Sequence, residues 1–167
     1  MSGQGVRTCG IGFTNKEAIE TSLTKEEIEA HFNEWEKWFR VYNELPNLFP
    51  DALDYLMKEK CITNEALAKK AWLDSRTIQR LRTEVNQNPT LTTVVKICMA
   101  LELPPMISEL MVKKSGKDYR AGTVDVAYRY LLTRCVGYDL VKSNEVITKF
   151  NKTYPLFKQQ EKKLKIK

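Results

Sequence analysis

The sequence predicts an all-α protein, and three observations carry that prediction. Apolar residues recur at three- and four-residue spacing in one segment after another. No stretch alternates with the period of two that a half-buried strand requires. Residues that start and stop helices bracket the periodic segments. With 167 residues, 43% of them hydrophobic, the chain can bury a core without metal or disulfide staples.

Residues 1–13 are glycine-rich and aperiodic, and read as a loose arm. The first helix starts at Thr24, whose hydroxyl and the Glu27 carboxylate make a capping box. Ile28, Phe32, Trp35, Phe39 and Tyr42 then form one face, expected to bury against the protein. Trp38 falls off that stripe and is left for a partner. The helix ends before Leu45-Pro46, because a residue preceding proline avoids the α region. Pro50-Asp51 opens a second helix that buries Leu53, Leu56 and Met57. Thr63–Ala71 and Asp74–Thr83 are two short helices, followed by a polar loop over 84–88. Thr90–Leu101 is the next helix, then Met106–Val112, a polar linker to Gly122, and helices over about 123–136 and 139–150.

Composition excludes several classes of chemistry. The four cysteines, Cys9, Cys61, Cys98 and Cys135, form no CxxC pair, and His31 is the single histidine, so neither a zinc site nor a cysteine–histidine nucleophile pair is in view. Cys98 and Cys135 sit in apolar patterns as small hydrophobes. The paired carboxylates Glu26 and Glu27 lie on a charged helix with no cleft implied. We expect no enzyme and no cofactor. The apolar runs fall far short of the roughly 20 residues that span a bilayer, and no signal-peptide pattern opens the chain. The expected location is the cytoplasm.

Charge is unevenly placed. Residues 15–36 carry a net −5, residues 58–90 a net +3 and the last twelve residues a net +4, within an overall +6. A basic middle and tail suit a polyanionic partner, although a solvated helix face has the same look.

Residues 63–82 meet the demands of major-groove reading. A groove about 12 Å wide admits one helix, which must present polar side chains while a second helix braces it across a short turn. Leu67, Ala68 and Ala71 face inward on the first helix, and small Ala68 permits close approach. Trp72-Leu73 makes the turn, and Asp74 caps the second helix. That helix buries Ile78 and Leu81 and projects Ser75, Arg76, Gln79 and Arg80. Arginine bonds guanine bidentately and glutamine does so to adenine. Lys69 and Lys70 would meet phosphates as point charges.

The segment Asn64–Leu81, with the downstream Asn88-Pro89-Thr90 entry to the next helix, resembles the helix-turn-helix of the Cro/lambda-repressor-like (XRE-type) regulators. The resemblance implies a five-helix DNA-binding domain over residues 46–112, with helical extensions at 1–45 and 113–167. It implies Ser75, Arg76 and Arg80 at base-facing positions, Asn64 at a phosphate and Asp74 as cap. Trp72 stands where a turn glycine is usual, Arg82 where glutamate is frequent, and the loop before Pro89 is one residue longer than typical.

These readings together predict a sequence-specific transcriptional regulator, a repressor that binds double-stranded DNA as a homodimer. The alternative is a protein-interaction module, an antitoxin or inhibitor, that keeps the fold with little DNA binding. Two regions could pair the copies. One is the aromatic helix over 24–44; the other, favoured, is the C-terminal helix pair with Val126, Tyr130, Leu131, Val136, Leu140, Val146 and Ile147.

Overall fold

Eight helices account for the order seen in the computed structural model, which describes residues 24–151 and Phe157. They are α1 (Lys25–Glu44), α2 (Phe49–Glu59), α3 (Asn64–Ala71), α4 (Ser75–Thr83), α5 (Leu91–Ala100), α6 (Pro105–Lys114), α7 (Thr123–Arg134) and α8 (Leu140–Asn151). No strand occurs among the described residues, so the all-α expectation holds. The glycine-rich arm, Cys9 and the lysine-rich tail lie outside them. Two compact units divide the chain, up to Trp35 and from Glu36 onward.

In the first unit the capping box forms as expected. The Thr24 N–H donates to Glu27 Oε2 at 2.8 Å, and the Glu27 N–H donates to Thr24 Oγ1 at 3.2 Å. The Phe32 and Trp35 rings lie 6.0 Å apart, tilted by 30°.

The second unit is organised around α5. Every residue from Val94 to Ala100 is buried, Lys96 included, the signature of a helix enclosed on all sides. α3, α6, α7 and α8 all pack on it. Burial lowers the pKa of the Lys96 ammonium and pushes the Cys98 thiol up to about 12; Cys98 is therefore an uncharged core residue. Three of the seven residues expected at a C-terminal interface, Leu131, Leu140 and Ile147, are buried in this core instead. Phe157 joins it, its ring 5.8 Å from Tyr128 and its backbone held at both N–H and carbonyl by the Asn144 amide at 3.0 Å.

The expectation for α1 is reversed. Trp38 and Val41 are its buried residues, while Ile28, Phe32, Trp35, Phe39 and Tyr42 are 41–55% exposed. The reason lies in α2: the Lys60 ammonium sits 5.1 Å from the Trp38 ring, the Tyr55 hydroxyl donates to Glu44 at 2.8 Å, and Arg40 pairs with Glu59 at 3.6 Å. These partners select the face bearing Trp38.

Helix ends are closed locally. Thr63, Asp74 and Thr90 accept backbone N–H groups at the starts of α3, α4 and α5, each cap worth about 1 kcal/mol. α2 and α5 end in paired reverse bonds, Ile62 N–H to the Met57 carbonyl and Cys61 N–H to Lys58, then Leu103 N–H to Cys98 and Glu102 N–H to Met99. Such endings put one residue in the left-handed region. Here those residues are Cys61 (φ +49°) and Glu102 (φ +52°), neither a glycine.

An L-residue in that conformation costs roughly 1–2 kcal/mol, while glycine's extra unfolded-state freedom takes back roughly 0.5–1 kcal/mol. Cys61 is exposed, so its side chain contributes little packing. Cys61→Gly is expected to stabilise the protein by about 0.5–1 kcal/mol, read as a higher urea midpoint at unchanged slope.

Candidate nucleic-acid interface

α3 and α4 are two short helices joined by a turn of three residues, and their inner faces are apolar throughout. Leu67, Ala68 and Ala71 on α3 and Ile78 and Leu81 on α4 are all buried. α4 packs on both α3 and α2. Trp72 takes the left-handed conformation at the end of α3 (φ 51°, ψ 45°), and the Leu73 N–H returns to the Ala68 carbonyl at 2.9 Å. The conformation that glycine adopts most easily is thus held by a tryptophan, whose ring packs partly buried against the core.

Asp74 caps α4 as expected, its carboxylate accepting the Arg76 N–H at 2.8 Å. Arg76, Gln79 and Arg80 are exposed and Ser75 is partly exposed, opposite buried Ile78 and Leu81. The outward set is therefore as the periodicity requires.

Asn64 has a more specific placement than its position suggested. Its side-chain oxygen accepts from Arg82 Nη1 at 2.6 Å, and the same guanidinium bonds Asp54 on α2, with Nε at 3.0 Å and Nη2 closer still. One arginine at the end of α4 thereby ties together α2 and the start of α3. Lys58 reaches the other Asp54 oxygen at 2.6 Å. A glutamate at position 82 would instead face the Asp54 carboxylate. The departure at 82 is matched by the acid at 54, a pairing of residues 28 apart that no local pattern reveals.

Lys69 and Lys70 stand apart from the outward face of α4. Lys70 pairs with Glu102 at 3.3 Å. Both lysines line an open cavity of about 480 Å³ with Trp72, Met99, Tyr138 and Val141. Among the described residues no cluster of histidine, cysteine or carboxylate side chains could hold a metal ion, and no helix is long and apolar enough to cross a membrane.

A helix capped by Asp74, turned outward along one polar face and braced across a tight turn, defines a helix-turn-helix protein. Residues 52–112 match the family model of the Cro/C1-type HTH DNA-binding domain, and the chain carries a DNA-binding domain of that family. The five helices α2–α6 coincide with the matched segment. No curated protein and no solved structure matches the chain.

Hydrogen bonds from Lys58 and then Arg82 hold the Asp54 carboxyl below its ordinary pKa of 3.8, against an opposing push from burial. A carboxyl depressed in the folded state stabilises the fold above its unfolded pKa, and that stabilisation is lost as pH falls through the lower folded value. Arg82→Met is expected to cost about 1 kcal/mol at neutral pH and to flatten the loss of stability below about pH 4. Urea denaturation of parent and variant at pH 7, 4 and 2.5 measures both effects.

Proposed function

We propose that the protein is a sequence-specific transcriptional regulator, a cytoplasmic repressor that reads the major groove with α4 and acts as a dimer. Residues 46–112 are the DNA-binding part, with 1–45 and 113–167 as extensions. The observation that carries this reading is the state of the arginines. Arg40, Arg82 and Arg129 are paired with Glu59, Asp54 and Glu109. Arg76 and Arg80 are exposed one turn apart on α4 and, like exposed Arg120 and Arg134, have no ion-pair partner among the described residues; unlike those two, they share one helix face. Two uncommitted guanidinium groups with Gln79 between them fit base-edge recognition.

Ser75 belongs to the same reading face, Asp74 positions it by capping, and Asn64 meets a phosphate from the start of α3. Lys69 and Lys70 add positive field and, at most, phosphate contact; base selectivity does not run through them. An interaction module with weak DNA binding is the competing reading. Its support came from the unusual residues at 72 and 82 and from the loop before Pro89, one residue longer than typical; the first two have structural reasons, since Trp72 packs its ring against the core and Arg82 answers Asp54.

Arg76→Ala and Arg80→Ala should each cost about 1–3 kcal/mol on a duplex selected from a random pool and relax the sequence preference. The Lys69→Ala/Lys70→Ala variant should weaken every duplex alike and flatten the salt dependence. Fluorescence anisotropy across a salt series measures both. A parent chain with no salt-dependent duplex binding would establish the interaction module instead.

A further inference from the structure

The cavity that Lys69 and Lys70 line lies between α3, the end of α5 and the turn into α8, and measures about 480 Å³. Small side chains keep it open: Ala66 on α3 and Ala100 on α5 border it where longer residues would fill the gap. Its other walls are aromatic or aliphatic, with Trp72, Tyr138, Met99 and Val141. Trp72 is only partly buried and Val141 is 52% exposed, so apolar surface there remains to be covered. Close-packed interiors hold few voids larger than a water molecule, whereas ligand pockets span about 300–1,000 Å³ and pair apolar walls with a few polar groups. This cavity has the size and the lining of the second kind.

Charge narrows the occupant. Lys70 is paired with Glu102 at 3.3 Å, and the Asp139 carboxylate accepts the Lys142 backbone N–H at 2.7 Å as the cap of α8. Lys69 has no ion-pair partner among the described residues. The Lys142 ammonium stands 4.2 Å from the centre of the Tyr138 ring. Lys69, Lys70 and Lys142 against Glu102 and Asp139 leave a net +1 at the cavity. One uncommitted ammonium suits one negative charge, and a carboxylate makes with it a charge-assisted hydrogen bond. Two aromatic walls and a thioether suit a flat ring, which stacks on the first and meets the second at its edge.

We propose that this cavity is a binding site for a planar aromatic monocarboxylate, its ring against Trp72 and Tyr138 and its carboxylate on Lys69. The site stands on the cavity and its charge, independent of how α4 meets DNA.

Calorimetric titration of the full chain with 2-naphthoate at neutral pH is the test. It is run at two temperatures, because burying apolar surface changes the heat capacity and no binding stays silent at both. A saturating one-to-one isotherm is expected, with the uncharged 2-naphthamide and the Lys69→Gln variant each weaker by at least about tenfold. Val141→Trp, at an exposed position of α8, should fill the cavity and abolish binding, with circular dichroism unchanged. If that variant unfolds, Ala66→Phe at an exposed position of α3 replaces it, with the same loss expected. Lys113→Gln, which removes an exposed charge of α6 away from the cavity lining, should bind as the parent does. No isotherm at either temperature, equal affinity for the amide, a folded filling variant that still binds, or equal weakening by Lys69→Gln and Lys113→Gln would overturn the proposal. A chain that takes up naphthoate yet ignores duplex DNA would refute the proposed function and leave the site standing.

Discussion

The enclosure of α5 is the constraint from which the rest of the second unit follows. A helix with no solvent face must be covered on every side, and one or two neighbours cannot do it. α3, α6, α7 and α8 each cover a sector. The C-terminal helices are thus structurally continuous with the DNA-binding segment, because Leu131, Leu140 and Ile147 complete the same core as Val94, Val95 and Ile97. Removing α7 and α8 would expose part of this enclosed helix to water.

The Arg82 clamp has a different role. Apolar packing sets how close α4 lies to α2 and α3 but resists sliding poorly, since dispersion contacts have little directional preference. A guanidinium bonded to both Asp54 and Asn64 adds direction. It fixes the far end of α4 while the Asp74 cap and the Trp72–Leu73 turn fix the near end. Both ends of α4 are thereby tied.

Helix boundaries were legible in the sequence because caps are local. Thr24, Thr63, Asp74 and Thr90 each bond within three residues of themselves, and the hydroxyl or carboxylate announces it. The outward set on α4 was legible for the same reason, since Ile78 and Leu81 leave little choice of inner face. The orientation of α1 was not. That helix carries two apolar faces, and periodicity weights the longer one, whereas burial went to the face that α2 could meet with Lys60, Tyr55 and Glu59. The Asp54–Arg82 pair was equally hidden, because its members are far apart in sequence and each looks like a solvated charge alone.

The three tryptophans have an optical consequence. Trp35 is 53% exposed and Trp38 is 9% exposed beneath two lysine ammonium groups, while Trp72 sits partly buried at the turn between α3 and α4. Indole emission shifts to the red in water and is perturbed by nearby charge, so the chain contains three native fluorophores in three surroundings. Each occupies a separate part: the exposed face of α1, the contact with α2 and the turn between α3 and α4. Single-tryptophan versions would let each part be watched by its own light, with no dye attached.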